Sequence, residues 1–180
     1  MHKEITAEVL DAAISGDPDA LGEIYRILSP RVVGYLRARG ASDPEGTTTD
    51  TFIQVFQRIE SLTGGASGLR SLVFTVAHAR LVDDLRARAR GPILEEYEPI
   101  DDIRTTDSAE EAALRRQALQ DVLNTLACLP DDQKSVITLR ILGQLSLEET
   151  ANVMERSVGA IKQLQRRGLI TLRESLTPAQ

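Results

Sequence analysis

The chain has 180 residues, 42% of them hydrophobic, a formal net charge of −6, and only 3% aromatic residues with no tryptophan. That length holds one medium domain or two small ones. Cores without large rings must be aliphatic, which suits small helical bundles. The single cysteine, Cys128, excludes an internal disulfide and a zinc knuckle, and His2 and His78 are too few for a histidine metal cluster. No apolar run is long enough to span a bilayer and no signal-peptide pattern opens the chain, so a soluble cytoplasmic protein without membrane insertion is expected.

The N-terminal part reads as helix throughout. Thr6 opens an amphipathic segment that stops at Gly16, and Asp17-Pro18-Asp19 restarts the chain with proline in a first turn. Leu21, Ile24, Tyr25 and Leu28 form an apolar stripe; Pro30 is expected to interrupt it, and Val32, Val33, Tyr35 and Leu36 continue. Asp43-Pro44-Glu45 marks another start, followed by a stripe of Phe52, Val55, Phe56 and Ile59. Thr63 to Gly68 reads as a flexible loop, and Leu69 to Arg90 as a long helix with Arg80, Arg86, Arg88 and Arg90 toward its far end.

From Gly91 to Glu111 eight acidic residues face Arg104 alone, so most of the net negative charge sits in one segment. It contains Pro92 and Pro99, lacks helical periodicity, and is long for an internal loop, so residues 91–111 read as an acidic flexible linker. Leu114, Leu119, Val122, Leu123 and Leu126 then begin a second bundle, in which Cys128 is expected to be a buried structural thiol. Pro130-Asp131-Asp132-Gln133 starts a further helix that ends at Gly143.

The clearest signal follows. Ser146 stands three residues before Glu149, a capping-box spacing. Leu147, Thr150, Ala151 and Met154 share one face of the helix it opens. The chain breaks around Glu155–Arg156, and Ser157 can cap the next helix, whose apolar side is Val158, Ile161, Leu164, Leu169 and Leu172. From Arg156 to Arg173 there are five basic residues and no acidic one. A basic second helix after a tight turn suits the DNA major groove, where Arg and Lys neutralise phosphates and Gln or Arg bond base edges. An antiparallel helix pair with a solvated basic face fits the same pattern.

The predicted class is therefore all-α: two small helical bundles joined by an acidic linker, the second carrying a helix–turn–helix. No nucleophile–base pair stands out, and Gly64-Gly65 lacks the Lys-Ser/Thr of a phosphate loop, so no catalytic residue, metal or other cofactor is expected.

These features resemble the extracytoplasmic-function group of sigma-70 family RNA polymerase sigma factors. The resemblance is carried by Leu129-Pro130-Asp131-Asp132-Gln133-Lys134-Ser135-Val136-Ile137-Thr138-Leu139-Arg140, by Leu145 to Ala151, and by Ser157 to Leu169. In the first half, Asp50-Thr51-Phe52-Ile53-Gln54-Val55-Phe56 is similar to the helix that such factors set against polymerase, and Arg70 to Asp83 to the helix facing the −10 element. At Gly46, Thr49, Leu72 and Ala79 the chain departs from the family's usual acidic residue, Gln, Trp and Asn.

The resemblance implies a region 2-like domain over residues 1–90 and a region 4-like domain over 112–180. It implies polymerase contacts at Asp50, Ile53 and Gln54, −10 contacts at Arg70, Phe74, His78, Arg80, Arg86 and Arg88, and −35 contacts at Ser157, Ala160, Lys162, Gln163, Arg166 and Arg167. The implied partners are core RNA polymerase through its clamp and flap, promoter DNA, and an anti-sigma factor. Two other readings fit the residues: a sigma-like module that binds polymerase or an anti-sigma factor without initiating, and a plain dimeric helix–turn–helix regulator.

Overall fold

The computed structural model describes residues 4–91 and 109–176. Among these it contains eight α-helices, one short 3-10 turn and no strand. The first half comprises α1 (Ala7–Ile14), α2 (Pro18–Ala38), α3 (Pro44–Phe56) and α4 (Gly65–Arg90), with the turn Ile59–Ser61 before α4. The second comprises α5 (Ala109–Ala127), α6 (Asp131–Ile141), α7 (Leu147–Val153) and α8 (Val158–Leu176).

Local chemistry explains the helix starts. The side chains of Thr6, Asp17 and Asp43 accept hydrogen bonds from first-turn N–H groups of α1, α2 and α3, and Pro18 and Pro44 occupy first turns where no N–H is needed. Gly64, in the left-handed region at φ 83°, lets α4 begin at Gly65, so the glycine-rich stretch expected as a loop is largely helix. Nor does Pro30 break α2, which runs unbroken to Ala38. One missing N–H is offset by burial of Ile24, Leu28, Val32, Tyr35 and Leu36 on both sides of it.

The first half packs these stripes around Phe52, Val55, Leu69, Val73, Phe74 and Leu81. Tyr25 meets Phe52 edge-on at 4.9 Å, and Tyr35 meets Phe74 edge-on at 5.7 Å. In the second half the middle of α6 is buried on every side: Ser135, Val136, Ile137, Thr138 and Leu139 are all inaccessible, while Asp131, Asp132 and Ile141 at its ends are exposed. Val136 packs with Ala151 and Ile161, and Ile137 with Leu126, Leu129 and Ala38. Leu139, Leu145 and Val153 join the core of the first half. A Cβ at Gly168 would lie 3.2 Å from Ile137, so a glycine is what lets α8 close on α6.

The helix–turn–helix forms as its sequence requires. Ser146 and Glu149 satisfy each other's backbone N–H groups in a complete capping box. The Ala160 N–H donates to the Ser157 hydroxyl at 3.2 Å, capping α8.

Four apolar or thiol assignments do not hold. Leu114, Val122 and Leu169 are 64%, 55% and 49% exposed, and Cys128 is exposed too. Leu126 near the end of α5 and Leu129 just beyond it are buried together with Ile137, whereas Leu114 and Val122 lie outside that cluster. Cys128 falls one residue past that helix, its thiol donating to the Thr125 carbonyl. Most of the acidic linker, residues 92–108, lies outside the described residues; α5 already begins at Ala109, inside the stretch assigned to it.

The turn between α7 and α8 places Glu155 at φ 52°, a conformation that costs a side chain about 1 kcal/mol. Glu155→Gly is expected to raise stability by about 0.5–1 kcal/mol, and Ser146→Ala to lower it by about 1 kcal/mol through loss of the box. Urea unfolding of the two variants checks both signs; a destabilised Glu155→Gly would mean that the Glu155 side chain matters more than its backbone.

Candidate nucleic-acid interface

Helix α8 turns its apolar side inward through Ile161, with Val158 and Leu164 half-buried, and its opposite side outward. Ser157, Lys162, Gln163, Arg166 and Arg167 are exposed and Ala160 is half-buried, all within the first three turns of α8 or at its cap. The residues singled out in this helix thus share one open surface. Arg156, also counted in the basic run, is held by Asp132 at 2.7 Å.

Helix α4 presents a different picture. Arg70 and Arg80 are half-buried, and Arg86 and Arg88 exposed. Arg80 reaches α3, donating to Asp50 and to Gln54 at 3.2 Å each, so it ties together two of the residues assigned to polymerase contact. Beside them Ile53 is 53% exposed, an apolar side chain one residue from Gln54 on the open face of α3. Arg88 pairs with Asp84 at 3.2 Å, and Arg86 lies 3.9 Å from Asp83. Phe74 has no exposed surface: it lies in the core against Tyr35, with the α6–α7 junction over it. A ring so enclosed cannot stack on a base in this arrangement.

His78 is half-buried, and its Nδ1 shares a hydrogen bond of 2.6 Å with the Tyr35 hydroxyl. Burial, reinforced by the Arg39 charge and opposed by Asp132, pushes the imidazole down to about 4. Burial pushes the Tyr35 phenol well above its ordinary value. The residue at the centre of this group, Arg39, was not singled out from the sequence. Its side chain is 6% exposed and bonds Asp131 at 3.0 Å, holding that carboxylate below the usual range. No local pattern could have revealed a partner 92 positions away. A cleft of about 430 Å³ adjoins the group, between α4 on one side and α6, α7 and the turn after α7 on the other.

The His78 shift has a sign. Its folded value lies below the unfolded one near 6.5, so between about 6.5 and about 4 the unfolded chain binds more protons. Its contribution to stability is complete above pH 6.5 and is lost as pH falls toward 4, by at most about 3 kcal/mol. His78→Gln is expected to flatten that part of the pH dependence of the urea midpoint. An identical slope in both proteins would exclude His78 as its source.

Comparison with known proteins agrees with this geometry. The family model described as Sigma-70, region 4 matches residues 125–174, which take in the end of α5, α6, α7 and nearly all of α8. The chain is 30% identical over 167 residues to the ECF RNA polymerase sigma factor BldN of Streptomyces coelicolor, covering 92% of this chain and 63% of that protein. It is 26% identical to the ECF RNA polymerase sigma factor SigD of Mycobacterium tuberculosis, covering 99% of this chain and 87% of that one. It is 28% identical to the ECF RNA polymerase sigma-E factor of Haemophilus influenzae, covering 90% of each. The solved structure of CnrH in complex with the cytosolic domain of CnrY shares the fold, with a TM-score of 0.67 at 21% identity over 96% of this chain and 97% of that one. The matching region 4 model, and likeness to sigma factors over nearly the whole length of this chain, make it similar to the extracytoplasmic-function group of sigma-70 family RNA polymerase sigma factors.

Proposed function

We propose that this chain is an alternative sigma factor that binds core RNA polymerase and directs promoter-specific initiation by reading −35 and −10 elements. The observation that carries the reading is the capped helix–turn–helix whose second helix turns an open basic side to solvent. Lys162, Arg166 and Arg167 neutralise phosphates flanking the −35 groove, while Gln163, Ser157 and Ala160, nearer the helix start, approach base edges. Residues 112–180 form this region 4-like unit.

Residues 1–90 form the region 2-like unit. Asp50, Ile53 and Gln54 on α3 supply a small polar patch with one apolar residue for the polymerase clamp. Arg86 and Arg88 follow phosphates of the duplex beside the −10 element. Arg70, Arg80 and His78 are the polar groups of α4 available near the separated strand, and Phe74 joins them only after the packing over it is released. RNA synthesis itself belongs to polymerase; this chain contributes placement. Its activity is restrained by an anti-sigma factor.

The test is run-off transcription with purified core polymerase on a library of genomic promoter fragments. Transcripts that depend on this chain support the reading. Core binding without transcripts would instead make it a sigma-like module, and duplex binding without any core binding would make it a plain regulator.

Two variants refine the assignment. Lys162→Ala with Arg166→Ala is expected to lower affinity for −35 duplex and to reduce the slope of log affinity against log salt by about 1 for each lost phosphate contact. Unchanged affinity would remove α8 from the interface. Ile53→Asp is expected to weaken core binding by about tenfold or more while leaving duplex affinity intact; unaltered core affinity would clear α3 of that role.

A further inference from the structure

Helix α8 carries a groove that neither the core nor the DNA-reading set accounts for. Leu169 and Ile170, 49% and 47% exposed, line it together with Leu147 of α7 and with the cations Lys162, Arg166 and Arg173. It measures about 430 Å³, and its lining is more apolar than polar. Phosphates answer the cations but leave Leu169 and Ile170 in water. The occupant that suits both parts is an acidic segment with apolar side chains interleaved.

This chain contains such a segment. Ile93-Leu94-Glu95-Glu96-Tyr97-Glu98-Pro99-Ile100-Asp101-Asp102-Ile103 interleaves apolar residues with five carboxylates and has no basic residue. Lys162 and Arg166 form no ion pair among the described residues, so their charge is open to a carboxylate. The chain is also long enough to bring the two together. Residues 92–108 reach at most about 60 Å, and α5, 19 residues long, spans about 28 Å. The end of α5 shares a cluster with Leu172 through Leu126, three positions along α8 from Leu169. The segment can therefore return from Ala109 along α5 to the groove. Its tether keeps it at a high effective concentration there, so even a weak site is occupied.

We propose that the acidic segment of residues 93–103 docks in this groove, its carboxylates against Lys162 and Arg166 and its apolar side chains on Leu169 and Ile170. Lys162 and Arg166 also belong to the set assigned to phosphates of the −35 element. Segment and duplex then exclude one another from the same side of α8, and the segment is an internal mimic of the phosphate backbone. The competition rests on the assignment of α8 to DNA; the docking does not. Its apolar part separates it from a general repulsion between like charges, because that part can be removed with the net charge unchanged.

Nuclear magnetic resonance on the full chain tests the docking. In a Cys128→Ser background, a nitroxide on Arg104→Cys stands next to the segment. It is expected to broaden the amide signals of Leu169 and Ile170. Leu94→Ser with Ile100→Ser, which keeps every charge, is expected to remove that broadening. A mixture of isotope-labelled chains without nitroxide and unlabelled chains with it is expected to show none. No broadening in the first sample, or full broadening in the apolar variant, overturns the docking. Broadening in the mixture overturns it in favour of the segment of a second copy.

Duplex affinity tests the competition. On a labelled duplex of mixed sequence at low salt, the full chain with Leu94→Ser and Ile100→Ser is expected to bind about three- to tenfold more tightly than the unaltered chain, because a tethered competitor is lost. Equal affinity overturns the competition. If neither chain binds the duplex, the assignment of α8 to DNA falls, while the broadening, read without DNA, still decides the docking.

Discussion

Helix α6 is the constraint on which the arrangement depends. A helix whose middle is buried all round has to lie between other elements, and the side chains of that stretch are shared among different neighbours. Val136 faces α7 and α8, Ile137 faces α5 and α8 and also Ala38 of α2, and Leu139 enters the core of the first half. The buried Thr138 hydroxyl is satisfied within the helix: it donates to the Lys134 carbonyl at 2.7 Å and lies 3.2 Å from the Ser135 carbonyl. The buried Gln133 Oε1 and Arg140 Nε of the same helix have no hydrogen-bond partner among the described residues, so the seam it fills is not polar-satisfied throughout. Asp131 and Asp132 at its first turn favour the helix dipole and are also the carboxylates that hold Arg39 and Arg156.

A net charge of −6 opposes DNA binding, and the placement of the charges resolves the conflict. Many of its arginines are engaged by carboxylates: Arg39 with Asp131, Arg80 with Asp50, Arg88 with Asp84, and Arg156 with Asp132. Lys162, Arg166 and Arg167 form no ion pair among the described residues, and all three lie on the outward side of α8. The local field of that helix, not the total, is what an approaching phosphate meets. Arg80 and Arg88 of α4 are held by carboxylates of their own half, so any role they take in DNA contact requires exchanging one partner for another.

What the sequence disclosed was local. Caps at Thr6, Asp17, Asp43, Ser146 and Ser157 depend on residues within a few positions of one another, and each formed as its spacing implied. The outward set on α8 was legible for the same reason, since 3.6-residue periodicity separates its apolar and basic sides. Long-range packing was not legible. Pro30 carries a breaker's chemistry, yet the stripe on either side of it lies against a core that outweighs one lost bond. Leu114, Val122 and Leu169 carry a core residue's chemistry but lack a facing surface. Phe74 was readable as a stacking ring because nothing near it in sequence announces that Gly143 will close over it.

The departures from the family pattern on α4 can be understood in the same physical terms. Ala79, where the family commonly has Asn, lies at the edge of the cleft with Thr75 and Val82, facing Asn152, Val153 and Met154 across from α7. Leu72, where the family commonly has Trp, is half-buried and packs against the same core that receives Leu139 and Leu145. An aliphatic residue of that size suits a core with few rings, whereas an indole would add both volume and an N–H to be satisfied. At Leu72, then, the departure from the family pattern suits the packing of the core that Leu139 and Leu145 enter.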